Sequence, residues 1–167
     1  ANVLGTEEVL RLACTHKVKP VHYVSTLSVF GSAMPIDSGS FSEDDFPSPS
    51  FDGEDGYSQS KWVAEQLVRT AASRGLPVTI HRPATVTGHS DTGVWNMDNF
   101  LCRLIRGCID IGKAPVEQMN FDIVPVDYVS KAIVYLSQQP QVIGKTFHFN
   151  NKWPVKSIDI IAWINAF

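Results

Sequence analysis

Tyr57 and Lys61 stand four residues apart in the stretch DGYSQSKWVAEQ, residues 55–66. On a helix that spacing stacks the phenol and the ammonium on one face, so their polar ends can approach a common point. A free phenol has a pKa of about 10, too high for efficient proton transfer near neutrality. An ammonium alongside it, shielded from bulk water, favours the phenolate by about one to three pKa units. The pair is therefore a candidate general acid with its electrostatic helper. The spacing alone is a weak signal. With four Tyr and eight Lys in 167 residues, chance places a Lys four residues after some Tyr in about one chain in five. Two polar residues on a wet helix face is the competing reading, and only the surrounding elements separate the two.

Those elements alternate. NVLGTEEVLRLAC puts Val3, Val9, Leu10, Ala13 and Cys14 near one face of a helix, and PVHYVST reads as a buried strand that ends in hydroxyls. YSQSKWVAEQLVRTAASRG carries Trp62, Val63, Leu67 and Val68 in a helical stripe, with Gly75 as its stop signal. PVTIHRP is the next strand, closed by Pro83. NMDNFLCRLIRGCIDIG returns to helical spacing, with Phe100, Leu101, Leu104, Ile105 and Cys108 on its apolar side. MNFDIVP then reads as strand, VDYVSKAIVYLSQ as helix with Asp127 as its N-cap, KTFHFNN as strand, and VKSIDIIAWINAF as a last helix. Alternation of this kind predicts an α/β layer fold with a mostly parallel sheet. In such sheets the chemistry lies beyond the carboxyl ends of the strands, where the ST after PVHYV and the RPAT after VTIH both fall.

Composition narrows the partners. A hydrophobic content of 44% with 19% charged residues describes an ordinary globular chain of one-domain length. A formal charge of −3 gives no electrostatic reason to expect nucleic acid or an anionic membrane. Residues 37–56 hold seven carboxylates and no Lys or Arg. The other ten acids face 14 bases, so the rest of the chain is formally +4. That asymmetry would suit an anionic cofactor or a carrier protein, but a solvated loop is the plainer expectation. Three cysteines without a C-x-x-C, and five scattered histidines without ligand spacing, predict neither a disulfide framework nor a metal site. No apolar run reaches membrane-spanning length and ANVLGTEEVL lacks a signal-peptide pattern, so a reducing, cytoplasmic setting is expected.

Taken together, NVLGTEEVLRLA, VHYVSTLSVFG, GYSQSKWVAE, RPATVTG and FDIVPVDYVSKAI resemble the extended short-chain dehydrogenase/reductases across nearly the whole chain. Within them, VSTLSVF, YSQSKWVAEQLV and HRPATVTG are most similar to the thioester reductase domains that end nonribosomal peptide and polyketide synthetases, and to carboxylic acid and aminoadipate reductases. The resemblance implies a Rossmann-like doubly wound fold and a catalytic group of Thr26, Tyr57 and Lys61, with Tyr57 as proton donor. Lys61 would bind the nicotinamide ribose. Pro83 and Val86 would lie against the nicotinamide ring, and Ser25 beside the cofactor. Ser28 competes with Thr26 for the hydroxyl role. Asn96 and Asn99, in the loop after the nicotinamide-side strand, are candidates for substrate contact. The implied cofactor is NADPH. The implied partner is an acyl or peptidyl carrier protein presenting a phosphopantetheine thioester, which is reduced to an aldehyde and in some relatives onward to an alcohol.

One part of the family pattern is missing. No glycine pattern suited to a pyrophosphate turn occurs in the chain, although a dinucleotide fold opens with strand, glycine-rich turn and helix. The expectation is therefore an internal, truncated part of such a domain, an incomplete Rossmann-like sheet. Residues 1–95 would be the catalytic half of the core and 96–167 mixed substrate-side and core elements. By itself such a piece is expected to bind NADPH weakly and to be inactive. Two other functions are open, the first served by the same Thr26, Tyr57 and Lys61 and the second argued against by an intact Tyr57 and Lys61. One is an epimerase, dehydratase or ketone reductase acting on a nucleotide sugar or small carbonyl, and the other is a non-catalytic cofactor-sensing or scaffold domain.

Overall fold

The computed structural model describes residues 1–33, 41–46, 55–116 and 119–166. In chain order it contains helix α1 (Asn2–Cys14), strand β1 (Val21–Val24), a 3-10 segment (Leu27–Ala33), helix α2 (Gly56–Ser73), strands β2 (Val78–Pro83) and β3 (Thr85–Thr87), and helix α3 (Phe100–Ile111). Strands β4 (Asn120–Phe121) and β5 (Ile123–Pro125), helix α4 (Val126–Ser137), strands β6 (Thr146–Phe149) and β7 (Val155–Lys156), and helix α5 (Ser157–Asn165) follow. The alternation expected from periodicity is present. MNFDIVP is divided into two short strands, β4 and β5, and β3 follows β2 after a single residue.

Two compact units make up the fold, Ala1–Pro83 with Ala132–Phe149, and Ala84–Lys131 with Asn150–Phe167. The first unit takes in 132–149 because β6 returns to pair with β2. Its sheet is parallel in the order β1-β2-β6, with Val21 opposite Val78 and Ile80 opposite Thr146. A strand–helix–strand passage through α2 is the connection that a parallel pair requires. Strand β2 is the central one and is buried along its whole length. Ala13 of α1, Val68 of α2, and Leu76, Val78 and Ile80 form the core on one sheet face, with Leu10, Val21 and Tyr23 packed against it.

Helix faces differ in part from the periodic reading. On α2 the buried residues are Ser58, Ala64, Glu65 and Val68. Ala64 is small enough to bring the helix close to its neighbours, and Glu65 is buried among cationic partners. Trp62 is half-buried and stacks on Phe46 with ring centroids 5.5 Å apart. On α1 only Ala13 is fully buried, while Leu4, Val9 and Leu12 are exposed, as Phe100 is on α3. Gly75 ends α2 with φ of 97°, a backbone conformation that a side chain disfavours.

The second unit holds two two-stranded sheets. β3 pairs parallel with β5, and β4 pairs antiparallel with β7. The α3 and α5 helices of this unit enclose a cleft of about 350 Å³ lined by Cys108, Ile109, Ile161 and Ile164. Asp127 lies inside the first turn of α4 and does not cap it. Its carboxylate accepts the Ser90 amide and hydroxyl, each at 3.0 Å, and pairs with Lys131. Of the acidic stretch, 41–46, Asp55 and Gly56 are described. Asp37, Asp52 and Glu54 lie outside the described residues. The described part is tied down. Phe41 stacks on Phe30 and Glu43 accepts the His148 amide at 2.8 Å.

Candidate active site

Strand β1 stops at Val24 because the chain turns into the 3-10 segment, which leaves Ser25 and Thr26 just past its carboxyl end, both buried. Ser25 donates its hydroxyl proton to Glu65 Oε2 at 2.6 Å. Thr26 Oγ1 accepts the Ser28 amide at 3.1 Å and lies 3.2 Å from Ser28 Oγ, a local hydroxyl turn that fixes Thr26 and Ser28 together.

Helix α2 supplies the other groups. Asp55 caps it, accepting the Ser58 amide at 2.8 Å and the Ser58 hydroxyl at 3.1 Å, and these bonds hold its carboxyl below the usual range. Tyr57 follows in the first turn and is 55% exposed, open to an incoming molecule. Lys61, one turn on, is half-buried. Its ammonium donates to the Val24 carbonyl at 2.8 Å and sits 5.0 Å from the centre of the Tyr23 ring. Burial lowers the Lys61 pKa, and the Glu65 carboxylate opposes that shift. The Tyr23 phenol is raised above its ordinary value, chiefly by burial, with Glu65 and Tyr57 adding to it and a hydrogen bond to Thr6 opposing. Tyr23 is therefore a neutral floor beneath the ammonium.

The helix carrying Tyr57 and Lys61 is thus bound to the end of the strand that leads into Thr26. Pro83 closes β2, buried and in register with Phe149 of β6. In the second unit Val86 is the middle residue of β3, opposite Val124, and its carbonyl accepts Asn99 Nδ2 at 3.4 Å. Asn99 Oδ1 caps α3 through the Leu101 amide, and Asn96 Oδ1 accepts the Asp98 amide, both at 3.0 Å. These two asparagines are at least partly committed to shaping their own loop.

The site also contains residues that sequence reasoning passed over. Glu65 and Arg82 are fully buried, and Arg82 Nη2 donates to Glu65 Oε1 at 2.6 Å. Arg69 Nε reaches the same oxygen at 2.9 Å. Two signals pointed there. Glu65 continues the Tyr57–Lys61 spacing by one more turn, and a lone arginine inside the apolar strand VTIHRP needs a buried carboxylate. His81, beside it, is fully buried, stacks on Phe147 and Phe149, and has neither ring nitrogen hydrogen-bonded. Among the described residues no group of three His, Cys, Asp or Glu could hold a metal ion, and no helix is long and apolar enough to cross a membrane.

Known proteins are similar to this chain in sequence and in fold. A linear gramicidin synthase polypeptide of Brevibacillus parabrevis is 44% identical over 164 residues, covering 98% of this chain and 3% of that protein. Aldehyde reductase lnbA of Aspergillus flavus is 41% identical over 167 residues, 97% of this chain and 17% of that one. Among solved structures, the terminal R domain from the myxalamid PKS-NRPS biosynthetic pathway superposes with a TM-score of 0.86 at 49% identity. That match covers all of this chain and 42% of the other, so the fold is the Rossmann-like one of that domain, and this chain spans less than half its length. The profile of an NAD-binding family described as male sterility protein matches residues 1–133, and the chain belongs to that family.

Proposed function

We propose that this chain carries the proton-transfer group of an NADPH-dependent reductase that converts a carrier-bound acyl or peptidyl thioester to an aldehyde. The observation that carries the reading is the 2.8 Å bond from Lys61 to the Val24 carbonyl, which ties the Tyr57–Lys61 face of α2 to the strand end that continues into Thr26. The similarity to a synthetase R domain and to an aldehyde reductase supports the substrate class and the direction.

The residues fit a reduced nicotinamide nucleotide in one respect that belongs to this chain. The Val24 carbonyl takes one of the three ammonium protons of Lys61, which leaves donors for ribose hydroxyls beside an exposed phenol. Pro83 would lie against the ring, and Ser25 would contribute backbone groups, since its hydroxyl is engaged by Glu65. When bound, the cofactor supplies the hydride that the thioester carbonyl carbon receives.

Thr26 and Tyr57 donate hydrogen bonds to the carbonyl oxygen and stabilise its negative charge as it develops. Tyr57 then transfers its proton to that oxygen, and Lys61 favours the phenolate left behind. Collapse of the hemithioacetal breaks the carbon–sulfur bond, releases the pantetheine thiol and frees the aldehyde. The carrier protein is the partner this chemistry requires.

The test is Tyr57→Phe in the full-length parent protein, assayed with a pantetheine-linked acyl thioester by following NADPH consumption. Loss of a general acid should lower kcat by about 10²- to 10⁴-fold. Unchanged turnover would remove Tyr57 from the reaction and overturn the proposal.

A further inference from the structure

The proton-transfer group leaves the buried charges one turn beyond Lys61 without a role. Glu65 and Arg82 are both fully buried. Arg82 Nε lies 3.2 Å from each Glu65 oxygen, and Nη2 lies 2.6 Å from Oε1. Two apolar side chains of similar volume would hold α2 on β2 as well or better, because an ion pair taken out of water must first overcome the loss of its hydration. What an apolar pair could not provide is a hydrogen bond to Ser25. Glu65 Oε2 accepts the Ser25 hydroxyl at 2.6 Å, and the Ser25 amide donates to the His81 carbonyl of β2 at 2.7 Å. The residue immediately before Thr26 is therefore gripped twice, its backbone by the sheet and its side chain by the helix. On its far side Arg82 Nη1 donates to the Asp45 carbonyl at 2.9 Å and lies 3.1 Å from His148 Nε2, with the Phe30 ring 4.8 Å from the guanidinium.

We propose that Glu65 and Arg82 are positioning residues for the reduction, fixing through the Ser25 hydroxyl the direction in which the Thr26 hydroxyl points relative to the Tyr57–Lys61 face. This inference rests on the function proposed above. Burial works against ionisation of Glu65, but the hydrogen bonds and charge of Arg82, the Ser25 hydroxyl and the charge of Arg69 outweigh it and keep the carboxyl below its ordinary pKa. Glu65 is therefore an anion and an acceptor throughout the working range. A purely architectural cluster would hold the helix and the 41–46 segment in place and would be indifferent to Ser25.

Ser25→Ala separates these two roles, because it leaves Glu65, Arg69 and Arg82 paired. In the full-length parent, beside Tyr57→Phe, we expect Ser25→Ala to lower kcat by about 10- to 100-fold while KM for NADPH stays within about twofold, the pattern of a misaligned reacting group. Amide hydrogen exchange over residues 24–29 should speed up in the same variant. If Tyr57→Phe abolishes turnover and Ser25→Ala keeps the wild-type kcat, the inference falls and the proposed function stands. A raised KM for NADPH at constant kcat would make Ser25 a cofactor contact and also overturn the inference. If Tyr57→Phe turns over normally, the proposed function falls, and unchanged exchange in Ser25→Ala would then dispose of the Glu65 anchor as well.

Discussion

His81 offers a prediction that needs no substrate. Its ring is fully buried in the central strand, stacked 6.0 Å from Phe147 and 5.7 Å from Phe149, with His22 6.0 Å away on β1. Burial, and to a lesser extent the His22 charge, lowers its pKa from 6.5 to about 4. The folded state therefore resists a proton that the unfolded chain accepts. Stability from this group is complete above pH 6.5 and is lost as the pH falls towards 4. A shift of about 2.5 units at 1.36 kcal/mol each amounts to about 3 kcal/mol in full, and to about 2 kcal/mol by pH 5. His81→Phe keeps a flat ring against the two phenylalanines and removes the titration. Any repacking cost is the same at both pH values and cancels. Urea denaturation of both proteins at about pH 7.5 and about pH 5 should show the wild type losing about 2 kcal/mol more than the variant between the two conditions. Carboxylates and His148 contribute equally to both proteins, so the difference reports residue 81 together with its coupling to His22. Equal losses in the two proteins would refute the assignment of a buried neutral imidazole.

Two further outcomes test the scaffold. Arg82→Met should destabilise the fold by about 2–4 kcal/mol because it leaves the buried Glu65 with only Arg69 and Ser25 as partners, and adding Glu65→Leu should recover part of that loss in urea unfolding. A single-variant cost below about 1 kcal/mol would mean that water reaches the pair. Asp55→Ala should cost about 1 kcal/mol and speed exchange of the Ser58 amide, since the carboxylate is the cap that holds the turn carrying Tyr57.

Much of the scaffold was legible before any coordinates. VHYV and VTIHRP announced themselves as strands, but only the second is buried along its length, since Val21, His22 and Tyr23 are half-buried and Val24 is exposed; the helix carrying Tyr57 and Lys61 lies where its spacing put it. Ser25 and Thr26 lie just past the strand, and their hydroxyls have different partners, Glu65 for one and Ser28 for the other. The polar interior was not legible. Hydrophobic periodicity assigns every glutamate to the surface, and Glu65 is inside only because Arg82, 17 residues on, and Arg69 both reach it. Likewise Leu4, Val9 and Leu12 carry an apolar pattern on α1 that the described residues do not cover. Asp127 read as a helix cap because of its position, but its acceptors are taken by Ser90, 37 residues away, a contact no local pattern encodes.

The bond between Lys61 and Val24 also bears on solubility. Among the described residues β1 borders the sheet, and its Val21 and Ser25 amides turn towards β2, so alternation aims the Val24 carbonyl outward at the open rim. A row of unpaired backbone groups at such a rim invites another chain to add a strand, and a lysine there is a common deterrent. Lys61 blunts that rim at its carboxyl end. Replacing Lys61 by alanine would remove the guard together with the chemistry proposed for it, so sedimentation should accompany any rate measured for that variant. Arginine at the same position keeps the charge and separates the two effects.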